Sequence, residues 1–67
     1  MSRVEVNGSS WEGPVGVTVA GLVATLCLSP RGVAVARNGE VVPRSQWDDT
    51  RLSDGDRIEI VTAAAGG

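Results

Sequence analysis

Two Asn-Gly dipeptides, Asn7-Gly8 and Asn38-Gly39, constrain this 67-residue chain more than any other feature. Asparagine followed by glycine best suits the two positive-φ positions of a tight hairpin turn. Each pair is flanked as a hairpin requires. Before the first, Arg3-Val4-Glu5-Val6 alternates polar and apolar residues, as a half-buried strand does. After it, Ser10-Trp11-Glu12 is expected to return as a short strand that ends before Gly13-Pro14. Before the second, Val33-Ala34-Val35-Ala36 is continuously small and apolar, and reads as a strand covered on both faces or lying close to a helix. Val41-Val42 begins the return, which Pro43 cuts short.

A helix is expected between the two hairpins. Thr18 suits an N-cap, and Val19, Leu22, Val23 and Leu26 are spaced along one helical face. Gly21 weakens such a helix by about 1 kcal/mol relative to alanine, so packing must hold it. Pro30 and Gly32 end the segment. Arg44 through Ser53 has no clear period and reads as a loop with a short turn, anchored by Trp47 and Leu52. Asp54-Gly55-Asp56 is a turn, and Arg57-Ile58-Glu59-Ile60-Val61 alternates again as a last strand. The simplest way to bury every stripe is an α+β fold, a mixed sheet of four to five strands packed on one helix. Residues 1–61 make one domain in this reading, and residues 62–67 a flexible tail with nothing left to pack.

The residue inventory bounds the function. Histidine, tyrosine, phenylalanine and lysine are absent, which removes most of the usual acid–base and nucleophilic side chains. A core this small also leaves little room for a deep cavity. An enzyme acting alone is therefore not expected. A single cysteine, Cys27, forms no internal disulfide and holds no metal by itself. It reads as a small buried hydrophobe, with a part in sulfur chemistry as the alternative. Trp11 and Trp47 read as core or edge-packing residues in preference to stacking platforms. The net charge of −2 and six scattered arginines do not make a nucleic-acid footprint. No apolar run is long enough to span a membrane and no signal segment opens the chain, so a cytoplasmic location is expected.

The tail carries the chemistry. Six residues from Thr62 to Gly67 reach roughly 20 Å when extended. Glycine has no side chain, so a Gly66-Gly67 end fits a channel too narrow for any other residue. The terminal carboxyl group, with a pKa of about 3.5, is ionised at neutral pH and is a weak electrophile. Activation as a mixed anhydride with the α-phosphate of ATP is the direct remedy; attack by a sulfur donor, leaving a thiocarboxylate on Gly67, is chemistry that such an end permits and that residue spacing does not show, and two terminal glycines also occur in plain floppy tails.

The residues collected so far resemble one known family along nearly the whole chain. Val6-Asn7-Gly8, the helix with Val19, Leu22 and Leu26, the run Arg31 through Arg44, then Trp47, Leu52, Asp54 through Val61 and Gly66-Gly67 are similar to ThiS, the sulfur carriers for the thiazole half of thiamine. The resemblance implies a ubiquitin-like β-grasp fold with the first and last strands parallel and central. It implies Gly67 as the residue adenylated and thiocarboxylated, and Gly66, Ala65 and Ala64 as the arm that threads into partner active sites. The partners it implies are a ThiF-like adenylyltransferase, which uses ATP, a cysteine desulfurase as sulfur source, and a ThiG-like thiazole synthase; no cofactor is bound by the carrier itself. The MoaD family, carriers for molybdopterin, shares the fold and the ending but often has a Pro-Pro pair just before its glycines. Here the stretch is Thr62-Ala63-Ala64-Ala65, which favours ThiS and leaves carriers for other pathways open.

Two further readings stand beside the carrier. A ubiquitin-like modifier would join Gly67 to a target lysine, although a chain without lysine builds no side-chain-linked polymers of itself. A plain interaction module would use a sheet face or edge. Late acidic residues, Asp48, Asp49, Asp54, Asp56 and Glu59, serve turns or steer the tail toward a basic partner.

Overall fold

Both Asn-Gly pairs turn the chain through positive φ, at 49° and 86° for Asn7 and Gly8 and at 52° and 87° for Asn38 and Gly39. The computed structural model describes residues 1–26 and 31–62. The first turn joins β1 (Ser2–Val6) to β2 (Ser9–Gly13), and the second joins β3 (Val33–Arg37) to β4 (Glu40–Val42). The return strand β2 is longer than its sequence indicates, running through Gly13, which pairs with Ser2. Trp11 accounts for this. Its indole lies over Gly13, where a Cβ would overlap the ring, so glycine here makes room for an aromatic neighbour on the same strand face.

Helix α1 (Val19–Thr25) begins at the expected cap, with the Thr18 hydroxyl accepting the Gly21 N–H at 3.1 Å. The next donors of its first turn find partners in the loop that sequence leaves without a period. Val19 N–H donates to the Thr50 carbonyl at 2.9 Å and Ala20 N–H to the Trp47 carbonyl at 3.1 Å. That loop starts with a single 3-10 turn (Arg44–Gln46) and is pinned as expected by buried Trp47 and Leu52. The Trp47 indole N–H donates to the Val42 carbonyl at 3.0 Å, which satisfies the one polar atom the ring buries. The loop therefore caps the helix while its own apolar anchors fill the core.

The last strand, β5 (Arg57–Thr62), lies between β1 and β3, giving the order β2-β1-β5-β3-β4. It is parallel to β1 and antiparallel to β3. A five-stranded mixed sheet with one helix and the first and last strands side by side is the β-grasp arrangement. Val4, Val35, Val42, Ile58 and Ile60 from the sheet meet Val19, Leu22 and Val23 from the helix in one core. The helix is about 10 Å long and covers one face only. In β3, accordingly, Val35 is buried and Ala34 is exposed, so this strand is not covered on both faces as its composition allowed. Thr62, placed by alternation at the start of the tail, is the last residue of β5 and pairs with Val33.

Leu22 and Ile58 are the largest fully buried side chains. Leu22→Ala is expected to cost about 3 kcal/mol, most of what a domain of this size has to lose. Urea denaturation followed by circular dichroism reads this as a large fall in midpoint.

Candidate functional site

The candidate site is the end of β5 and the residues that hold it. Ile58 and Ile60 point into the core, while Arg57, Glu59 and Val61 point outward. Side chains from both hairpin turns then clamp the strand along its length. At its start, Asp56 is buried and accepts three hydrogen bonds: from Ser53 N–H at 2.8 Å, Arg37 Nε at 2.8 Å and Asn38 Nδ2 at 3.1 Å. Burial is the largest single influence on this carboxyl group and raises its pKa. The Ser53, Arg37 and Asn38 hydrogen bonds and the Arg37 charge together outweigh it, so the pKa lies below the ordinary aspartate value. Asn38 also faces β5 with its other amide atom, Oδ1 accepting the Arg57 N–H at 2.9 Å.

Asn7 does the same further along. Backbone pairing between β1 and β5 ends at Val6 and Ile58, with a last bond from Asn7 N–H to the Ile58 carbonyl. Beyond it the Asn7 side chain takes over, its Oδ1 accepting the Ile60 N–H at 2.8 Å and its Nδ2 donating to the Ile60 carbonyl at 3.1 Å. One primary amide thus replaces a strand residue. On the other side, pairing with β3 continues to Thr62. The strand that leads to the tail is fixed on both flanks almost to the last described residue.

Sequence reasoning read both asparagines as turn formers and missed the clamps. The available signal was the choice of asparagine over aspartate, since only the amide offers a donor and an acceptor together. The late acidic residues divide. Asp56 is consumed by its ion pair, and Asp54 accepts the Arg3 N–H at 2.7 Å, docking the turn on β1 as expected of a turn residue. Gly67, Gly66, Ala65 and Ala64, read as the modified residue and its threading arm, lie outside the described residues, as does Cys27. Among the described residues no group of three or more His, Cys, Asp or Glu side chains is placed to hold a metal ion, and no helix is long and apolar enough to cross a membrane. A surface concavity of about 710 Å³ lies over β1 and β2 and is lined by Arg3, Glu5 and Glu12 among others. We assign it no role, because these side chains already pair with charges on the same surface.

The model of the ThiS family matches residues 4–67, nearly the whole chain. The chain belongs to the ThiS family. The ThiS sulfur carrier protein of Escherichia coli is 36% identical over 65 residues, a match covering 97% of this chain and 98% of that protein. The crystal structure of a thiamine biosynthesis protein, ThiS, from Geobacter metallireducens has the same fold, with a TM-score of 0.80 and 32% identity over 97% of this chain and 99% of the other. A thiazole synthase of Paramagnetospirillum magneticum is 37% identical over 65 residues, but the chain spans only 20% of that protein's length. A thiazole synthase of Magnetococcus marinus is 35% identical, again over 20% of its length.

Two measurements check the clamps of this ThiS chain. Asn7→Gly keeps the positive φ and deletes the amide; it should cost about 1–2 kcal/mol and speed hydrogen exchange at the Ile60 N–H. For Asp56, a pKa lowered in the folded state stabilises above the unfolded value of about 3.9, and the stabilisation fades as pH falls through that value toward the folded one. Thermal denaturation between pH 6 and 2 should therefore show the wild type losing stability in acid, with a flatter profile for Asp56→Asn, which is less stable at neutral pH.

Proposed function

We propose that this chain is a sulfur carrier for thiazole formation in thiamine biosynthesis and that the carboxyl group of Gly67 bears the sulfur. The observation that carries this reading is the ThiS family match running through Gly67, together with near-complete coverage of the E. coli carrier. The inventory agrees. With no histidine, lysine or tyrosine, the chain offers few groups for catalysis of its own, and it serves as a cosubstrate handled by other enzymes.

The chemistry follows from the carboxylate. An oxygen of Gly67 attacks the α-phosphate of ATP in the active site of a ThiF-like adenylyltransferase, and pyrophosphate leaves. The acyl-adenylate is then attacked at carbon by the terminal sulfur of a persulfide that originates from a cysteine desulfurase, AMP leaves with the bonding electrons, and a thiol cleaves the S–S bond of the resulting acyl disulfide, forming a disulfide with the donor sulfur and leaving a thiocarboxylate on Gly67. Gly66, Ala65 and Ala64 let this end pass into a narrow active site because none has a side chain larger than a methyl group. ATP belongs to the activating partner, and the carrier acts in a compartment that supplies it. Delivery to a ThiG-like thiazole synthase is supported by the two thiazole synthases that contain a stretch similar to this chain.

Intact-mass spectrometry tests the proposal. Incubated with ATP, the adenylyltransferase and a sulfur source, the chain should gain the mass of one sulfur less one oxygen, mapped to Gly67. Deleting Gly67 should abolish the gain and leave the urea midpoint unchanged. An unaltered mass beside an adenylyltransferase that modifies its own known carrier sinks the reading. Isopeptide conjugates in place of a thiocarboxylate would mark a protein modifier instead.

A further inference from the structure

Each hairpin turn sets an asparagine amide next to the main-chain nitrogen of a glycine. That nitrogen can attack the asparagine Cγ and close a five-membered succinimide, and glycine hinders the approach least because it has no Cβ. In this structure the attacking nitrogens are unengaged: among the described residues neither the Gly8 nor the Gly39 N–H donates to a main-chain acceptor. Both dipeptides are exposed, and the space beside each glycine is open. The restraint lies on the other reactant. To react, the amide must swing back over its own main chain, and each amide is held elsewhere by two hydrogen bonds.

The two restraints are unequal. Asn38 donates through Nδ2 to the buried Asp56 carboxylate and accepts the Arg57 N–H through Oδ1. A hydrogen bond to an ion is about twice as strong as a neutral one, and its release would also leave a buried charge short of a donor. Asn7 meets only the neutral main chain of Ile60, its Oδ1 2.8 Å from the N–H and its Nδ2 3.1 Å from the carbonyl. Ladder pairing of β1 with β5 has already ended at Val6 and Ile58, so the Asn7 amide lets go without breaking it.

We propose that Asn7-Gly8 is a site of self-modification in the folded chain, and that the Asn7 clamp on Ile60 sets its rate. When the amide lets go, the Gly8 nitrogen gives its proton to solvent base and bonds to Asn7 Cγ, and the side-chain nitrogen leaves as ammonia. Water then adds to either carbonyl of the succinimide, and cleavage of that ring C–N bond leaves aspartate or isoaspartate at position 7. The net change is one water taken up and one ammonia released, with nothing oxidised or reduced. Neither product remakes both bonds of the clamp. A carboxylate accepts the Ile60 N–H but has no donor for the Ile60 carbonyl. Isoaspartate also lengthens the main chain by one methylene within a tight turn. The reaction therefore loosens one flank of β5 at the end from which residues 63–67 continue, and it needs no partner and no sulfur on Gly67.

The experiment keeps the full wild-type chain in mildly alkaline buffer, folded in one arm and in urea above its midpoint in the other. Peptide mapping by mass spectrometry follows both dipeptides, each conversion adding the mass of one oxygen less one NH group, and chromatography separates isoaspartate from aspartate. The ratio of the rate in urea to the rate in the folded chain should be about ten at Asn7, the scale of two neutral hydrogen bonds, and larger at Asn38. A ratio of one at Asn7 would overturn control by the clamp, and a ratio as large as that of Asn38 would overturn the choice of site. A folded-arm rate that climbs with urea below the midpoint, as the unfolded fraction does, would place the reaction in the unfolded chain and also overturn the proposal. Asn7→Asp supplies one product directly; with the fold retained by circular dichroism, it should speed hydrogen exchange at the Ile60 N–H several-fold. Wild-type exchange there would overturn the loosening of β5.

Discussion

The carboxylate of Asp56 draws together the turn before β5, the end of β3 and the second hairpin turn. It is removed from water at the point where the chain enters β5, and such removal costs several kcal/mol for an ion left alone. It is not left alone: a main-chain donor from the preceding turn, an amide from the second hairpin turn and the Arg37 guanidinium converge on its two oxygens. Because these donors belong to the Asp54-Gly55 turn and to the end of β3, satisfying the charge fixes where β5 starts relative to both. A slip of β5 by one residue would invert its faces and also strand a buried charge. Register is thus specified twice, by the alternation of Ile58 and Ile60 and by one ion pair. The same register sets Val61 outward beside Ala34 and brings the chain to Thr62, opposite Val33, at the end of the central strand.

Interactions between neighbours in sequence were legible. The two Asn-Gly turns, the Thr18 cap, the stripe of Val19, Leu22 and Val23, and the alternation of β1 and β5 all depend on residues within four positions of each other. The anchors Trp47 and Leu52 were legible for another reason, that a small core needs every large apolar side chain it has. The clamps were not legible, because Asn7 meets Ile60 across 53 residues and Arg37 meets Asp56 across 19. Nothing local distinguishes an asparagine that only turns the chain from one that also pairs with a distant strand. Of the two readings of β3, packing close to the helix held through Val35 and covering on both faces failed, for a related reason. Small apolar composition fits a strand buried on both faces and also one buried on a single face, and a helix of seven residues covers only one of the two. The role of Gly13 was hidden because its need for a missing Cβ comes from the indole two residues away. As for the arm, its glycines were legible as composition, and its chemistry came from the family resemblance that the family match then bore out.

On the proposed function, an arm that fits narrow active sites cannot also choose between partners. Alanine and glycine offer a methyl group or nothing, so any enzyme with a slim channel and an oxyanion-tolerant end could accept the sequence Ala64-Ala65-Gly66-Gly67. Discrimination then has to come from the folded body, and the body must contact the partner while the arm is inserted. Arm length couples the two demands. Five residues span at most about 17 Å, and in the proposed carrier each added residue would dilute the Gly67 carboxyl group within a partner's site. A longer arm would reach from more orientations and lose the link between docking and reaction. Rigidity of β5 serves the same end, since an arm rooted in a fraying strand would gain the same unwanted freedom. On this argument the Asn7 clamp on Ile60 fixes where the proposed arm begins, and the choice of partner falls to the folded body.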